Sequence, residues 1–461
     1  MRPCRIFLNQ FMLTMPKQFD VTVIGTGTSA YHVIHHCLKK GLSLAVVDSR
    51  PYGGTCAIRG CQPKKYLVAA ASALKVAKHM QGIGITSVPQ MDWPALIQNK
   101  NRFTHAVPEN TEKGFVDAGA VVFHGCARFT GRNTLDVDGS KLKANTIVIA
   151  TGAIPRPLGI PGEHLLTSSE DFMDLPKLPR RILFVGGGFI SCEFAYVARQ
   201  AGAEVAILQK GDRILNPFDP DLVDILTQAS RDDGIDVILN ACVDRIDKMD
   251  SDLVATCSET GHQYRSDMVV HGAGRVPDLE DLDLKAGFVE YGGRGVRVNA
   301  YLQSVSNPSV YAIGDVANTP YQLATTADME GMAVAQNITD GNHAIPDYAV
   351  VPSVVFTLPP LASVGIQEEV ALQQGLSINV KQGTMNQWPS SKRIGQKHSG
   401  YKVIQDKKSG LILGAHIFGH NADEVINIMA LGIKFKIPPE KLKKMIWAYP
   451  TYTSDIKYFL N

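Results

Sequence analysis

Apolar and polar residues first fall into order at FDVTVIG, Phe19 to Gly25, where a short run rich in β-branched residues stops at a glycine. Beyond it, Ala30, Val33, Ile34, Cys37 and Leu38 recur at helical spacing, and a second apolar run, LAVVD, ends at Asp48. The pattern predicts strand, tight turn, helix, strand. It returns in PRRILFVGGGFISCEFAYVARQAGAEVAILQK, with Ile190, Phe194 and Val197 as the inward stripe of the helix. Two further strand-length runs end in glycine turns. TIVIATG closes at Thr151-Gly152, where the chain is expected to cross between domains. SVYAIGD closes at Gly314-Asp315 and leads into the helical stretch ATTADMEGMAVAQNI. Strands alternating with helices predict an α/β fold.

At 461 residues the chain is too long for one core, so two to four domains are expected. Its 45% hydrophobic and 20% charged residues and net charge of +2 argue against a nucleic-acid surface or a polybasic membrane anchor. No apolar run approaches the ~20 residues that span a bilayer. In MRPCRIFLNQFMLT, Asn9 and Gln10 interrupt the apolar residues and no small-residue cleavage site follows, so a signal peptide is not expected. Residues 1–14 read as a loose tail or a mis-called start, with a second start at Met15. A cytoplasmic protein is expected.

Eight cysteines are too few for a disulfide-stapled scaffold. Cys4, Cys126, Cys192, Cys242 and Cys257 are scattered, and Cys37 falls on the helical stripe as core filling. Only Cys56 and Cys61 form a pair, in GGTCAIRGCQPKK. On spacing alone the pair can be a metal clip, a structural bridge or a redox couple.

Gly25, Gly27 and Ala30 fit G-x-G-x-x-A, and Asp48 ends the second strand at the motif's spacing. The glycines allow the turn and close approach of a pyrophosphate, the small third residue lets helix and strand pack, and the acid binds a ribose hydroxyl. Gly186, Gly188 and Ser191 repeat the motif, but the strand after them runs into Gln209-Lys210. Lys210 and Arg213 would attract a 2′-phosphate, which favours NADPH over NADH. Asp315, at its strand end, can hold a sugar-like hydroxyl chain.

The full order is GxGxxA, GGTC-x4-GC-PKK, ATG, GGG-x-x-S-x-E, GAGR-x-P and AIGD. From about Phe19 to the C-terminus this resembles the two-dinucleotide flavoprotein disulfide reductases, the group of glutathione reductase, dihydrolipoamide dehydrogenase and mercuric reductase. The resemblance implies FAD in the first cradle, a nicotinamide nucleotide in the second, and a homodimer. It implies two Rossmann-like domains, at 15–150 with 281–345 (FAD) and 151–280 (nicotinamide), and an α+β dimerisation domain at 346–461. It also places Gly54, Thr55, Lys65, Ala127 and Gly274 among the cofactor-binding residues.

The resemblance makes Cys56 and Cys61 a catalytic disulfide against the flavin, with Cys61 flavin-proximal and Cys56 facing the substrate. A zinc clip would need two more ligands nearby, and a structural bridge over so short a loop adds little. Pro63 suits the first helical turn, which puts Cys61 near a helix N-terminus that favours thiolate. Lys64 and Glu193 both fall on inward stripes, and buried opposite charges need partners. In the family these positions pair with each other beside the flavin.

The tail departs from the pattern. Where glutathione and dihydrolipoamide enzymes carry His-Pro-Thr and a nearby glutamate, this chain has Tyr449 and Ser454, with Asp455 next. Tyrosine is a poor proton shuttle beside imidazole. His35 and Met332 replace two arginines of glutathione reductases, which weakens glutathione recognition. Mercuric reductase also has a tyrosine here, but it carries a cysteine pair near its C-terminus, and no cysteine follows Cys257. The expected acceptor is a soft metal ion, quinone, persulfide or activated disulfide. The alternatives are a low-molecular-weight disulfide reductase using Tyr449 or Asp455, and a non-catalytic redox sensor.

Overall fold

The computed structural model describes residues 16–461, so the expectations on the first fourteen residues, Cys4 and the Met15 start lie outside the described residues. The chain divides into two compact units: one of the chain up to Gly54, Val107–Ile154 and Val276–Pro346, the other of Thr55–Ala106, Pro155–Arg275 and Asp347–Asn461.

The first unit is built on a seven-stranded sheet in the order Val121–His124, Leu44–Asp48, Lys17–Ile24, Ser140–Ile149, Thr134–Val137, Ala127–Gly131, with Val310–Ala312 also on Ser140–Ile149. Lys17–Ile24 is parallel to both its neighbours, with Val23 opposite Val46 on one side and Val148 on the other. These strands are apolar on both faces because each face is covered. Val21, Val23 and Val46 pack with Val33, Ile34 and Cys37 of the helix Thr28–Lys39, and Ile24 and Val47 pack with Phe129 and Ile147. The two glycine-ended runs stop sooner than expected. One strand closes at Ile149, the other at Ala312, and Gly314–Val316 is a single 3-10 turn.

The second unit holds a parallel sheet, Ile235–Ile238, Glu204–Leu208, Arg181–Val185, Met268–His271, and a five-stranded antiparallel sheet, Ser353–Val355, Leu361–Gly365, Ile412–Phe418, Gly400–Asp406, Ile378–Thr384. The helix Phe189–Gln200 is not simply striped: Ser191 through Ala198 are all buried. The stretch 55–106, expected with the first cradle's domain, clusters here instead. The cause is packing: Leu67, Val68 and Ala71 of the helix Cys61–His79, with Trp93 and Ile97, join Phe172, Phe184 and Phe194 in one core. No helix among the described residues is long and apolar enough to cross a membrane.

Candidate active site

The first cradle is the turn between Lys17–Ile24 and Thr28–Lys39. Gly25 has φ +105°, and a Cβ there would stand 2.3 Å from the carbonyl oxygen of Ala150. Gly54, at φ +70°, brings its backbone so close to Gly27 that a Cβ would lie 2.3 Å from the Gly27 Cα. Gly27 is the N-cap and offers no side-chain cap to the first N–H groups of the helix. A bare helix start behind a turn without room for side chains fits a pyrophosphate. Ala30 is fully buried at the packing position. Asp48 is partly engaged in the turn itself: one oxygen accepts from the N–H and hydroxyl of Thr26, at 2.9 and 2.5 Å, and the other from the Arg50 N–H at 2.9 Å.

Around this turn, Thr151 Oγ1 donates to the Asp278 carbonyl (2.7 Å) and the Gly152 carbonyl accepts from the Asp278 N–H (3.0 Å). Asp315 lies half-buried in its 3-10 turn. The Gly314 N–H donates to the fully buried Glu330 at 2.6 Å. The Ala127 side chain is packed in the core, which leaves only its backbone for a ligand.

The second cradle repeats the bare helix start, with Gly188 as an N-cap that makes no side-chain bond, after the Gly186 turn. Gln209 does not replace the missing acid as a ligand. Its Oε1 accepts from the Gly187 N–H (2.9 Å) and its Nε2 donates to the Arg213 carbonyl (3.0 Å), so it ties the glycine turn to the basic loop. Lys210 is exposed. The buried Nε of Arg213 has no hydrogen-bond partner among the described residues. An orphaned guanidinium donor fits an anionic ligand. Gly274 accepts the Arg156 N–H on its carbonyl (3.0 Å).

The cysteines sit at the start of the second unit, beside Thr55, whose carbonyl accepts from the Arg59 N–H (3.0 Å). Cys61 is the first residue of its helix, and the N-cap Gly60 supplies no side chain. The Cys61 thiol is brought down to about 7, chiefly by a hydrogen bond from Cys56. Desolvation works against this, Lys64 adds to it, and Glu193 opposes it. Lys64 Nζ lies 2.8 Å from Glu193 Oε1. Glu193 is buried, and the same Oε1 accepts the Phe356 N–H at 2.9 Å. The ring of Phe356 faces Lys64 at 4.6 Å and Lys65 at 3.6 Å. Burial holds Lys65 below its ordinary acidity range, while Asp423 and Glu424 pull it back.

Tyr449 is 74% exposed, with Lys457 Nζ 5.7 Å above its ring. Ser454 is spent locally, donating to the Thr451 carbonyl at 2.6 Å. Asp455 is buried, and burial raises its carboxyl against a hydrogen bond with Ser390.

A family model described as pyridine nucleotide-disulphide oxidoreductase matches residues 19–331, and the dimerisation domain of the same family matches 351–458. The chain belongs to this family. It is an oxidoreductase whose cofactors are a flavin and a nicotinamide nucleotide, and the second match fits a homodimer. The chain is 28% identical to a mercuric reductase of Lysinibacillus sphaericus over 98% of its length and 83% of that protein's. It is 30% identical to a glutathione reductase of Burkholderia cepacia over 96% and 98% of the two chains. Among solved structures, the Cu(II) complex of the HOCl-induced flavoprotein disulfide reductase RclA from Escherichia coli superposes with a TM-score of 0.87 at 26% identity, covering 96% and 99%. Sequence reasoning missed Phe356 and Glu330. Glu330 did leave a signal, an acid inside the small-residue run ATTADMEGMAVAQNI, whereas nothing local marks Phe356.

Proposed function

We propose that this oxidoreductase carries reducing equivalents from NADPH, through FAD, to the Cys56–Cys61 pair and on to a soft electrophile, with Cu(II) as the leading candidate. The bound cofactors supply the hydride chemistry. The chain's own residues would position them: Gly25, Gly27 and Gly54 by close backbone approach, Asp48 and Asp315 by hydrogen bonding, Lys210 and Arg213 by charge. Cys61, Lys64 and Glu193 form the reacting group's electrostatic frame, and Cys56 is the sulfur offered to the acceptor.

The observation that carries this reading is a Cys61 thiol near 7 in a chain whose tail offers Tyr449 where relatives use an imidazole. A thiol–thiolate pair that reduces two Cu(II) to Cu(I) becomes a disulfide and releases one proton. Reducing a disulfide acceptor to two thiols consumes protons instead, and so needs a donor. A site without the histidine suits the first reaction. The metal complex of RclA and the mercuric reductase relatives support the same class of acceptor. One observation favours an ordinary disulfide acceptor: burial makes Asp455 easier to protonate, so it could donate. The alternative of a redox sensor is separated by turnover, because a sensor is reduced once and stops. A cytoplasmic location suits a pair that works as a dithiol.

The test is anaerobic reduction by NADPH followed by a panel of Cu(II), quinones and glutathione disulfide. Sustained turnover with Cu(II) and slow turnover with glutathione disulfide are expected; vigorous glutathione disulfide reduction overturns the metal assignment. NADPH should reduce the protein faster than NADH, and Lys210→Glu should erase the difference. Equal rates in the unmodified protein would remove Lys210 and Arg213 from the nucleotide site.

A further inference from the structure

We propose that Phe356 is a positioning residue: its backbone N–H and its ring together fix the ammonium groups of Lys64 and Lys65 at the head of the helix that begins with Cys61. Lys64 and Lys65 are sequence neighbours, and on a helix consecutive side chains diverge by roughly 100°. Here both nevertheless meet the same aromatic ring, at 4.6 and 3.6 Å from its centroid. Two like charges so close repel each other. The negative face of the ring offsets part of that repulsion, an interaction specific to an aromatic side chain. The backbone of the same residue donates to Glu193 Oε1, which also holds Lys64 at 2.8 Å. Phe356 thus touches Glu193 through its N–H and both lysines through its ring.

The consequence falls on Cys61. The charged and titratable groups that bear on it are Cys56 from the preceding turn, Lys64 from its own helix and Glu193 from the helix Phe189–Gln200. Lys64 stabilises the thiolate and Glu193 opposes it, so the balance depends on where the Lys64 ammonium stands between them. Lys65 answers to Lys64, to Glu193, and to Asp423 and Glu424 at the start of the helix Ala422–Lys434. Without the ring, Lys65 loses its seat and moves toward those carboxylates, and Lys64 is drawn onto Glu193 alone. The thiolate then loses part of its support.

The proposal rests on Cys56 and Cys61 being the reacting pair, but its test reads the acidity of one thiol and not turnover. The full-length protein, reduced with dithiothreitol and freed of it anaerobically, is alkylated with iodoacetamide across pH 5–9. Trypsin cuts after Arg59, so Cys56 and Cys61 fall on separate peptides and Cys61 is followed alone by mass spectrometry. In Phe356→Leu the Cys61 midpoint should rise by about half a unit, a roughly threefold loss of thiolate on the steep part of the curve. Phe356→Tyr, which keeps the ring, should titrate with the unmodified protein. A Phe356→Leu variant that melts earlier but alkylates with an unchanged midpoint overturns the proposal and leaves the dithiol reading standing. A Cys61 that fails to react at any pH in the unmodified protein overturns both.

Discussion

Glu193 Oε1 accepts from Lys64 and from the Phe356 N–H, and this double use gives a buried carboxylate two partners. Removing Lys64 therefore does two things at once. It takes away a cation that lowers the Cys61 thiol and leaves the Glu193 charge, which raises it, less compensated. Both push the same way. In Lys64→Met the Cys61 midpoint should climb from about 7 by at least one unit. The thiolate fraction at pH 7 should then fall from about one half to about one tenth, with iodoacetamide alkylation slowed roughly fivefold. An unchanged rate would mean that the hydrogen bond from Cys56 alone sets the acidity.

Among the elements, the glycine turns were the most legible, because a positive φ and a backbone contact leave few other residues possible. Gly54→Ala should therefore be severe: its Cβ has nowhere to go beside Gly27, and the cradle turn must open. Purified Gly54→Ala should lose its bound flavin, read as the ratio of visible to protein absorbance, and melt earlier. Flavin retained at full occupancy would show that the contact is not needed. The side-chain work of Asp48 and Gln209 was less legible. The sequence suggests a ligand at Asp48 and only a missing acid at Gln209, and the structure shows each bracing the turn beside it, through Thr26 and Gly187. The stretch 55–106 clusters apart from the first cradle's unit for a reason the pattern does not carry: a helix stripe shows which face is buried and not which core receives it. Phe356 was invisible for a related reason. Its partner Glu193 is 163 residues away, and no period or spacing connects them.

At the scale of the whole molecule, the segment matched by the dimerisation domain displays a strongly apolar surface. Ile446 is 95% exposed and Phe435 68%, with Met445 and Leu431 also exposed. Apolar surface of this kind marks a protein contact, and a second copy is the partner that the family supplies. Paired Phe435→Asp and Ile446→Asp changes should convert a dimer to a monomer by light scattering while leaving the visible flavin spectrum intact. A variant that stays dimeric would place the contact elsewhere.

The carboxylate of Glu193 has a further consequence for how such a chain can be rearranged. It sits on the helix that follows the second glycine turn, yet it serves a lysine on the helix headed by Cys61 and a backbone N–H at the edge of the antiparallel sheet. The loop carrying Lys210 and Arg213 is braced locally, through Gln209 and the Gly187 turn. A chimera whose breakpoint separates residue 193 from residues 64 and 356 inherits an unmatched charge inside its core. Recombination must therefore carry these three positions as one inheritance unit.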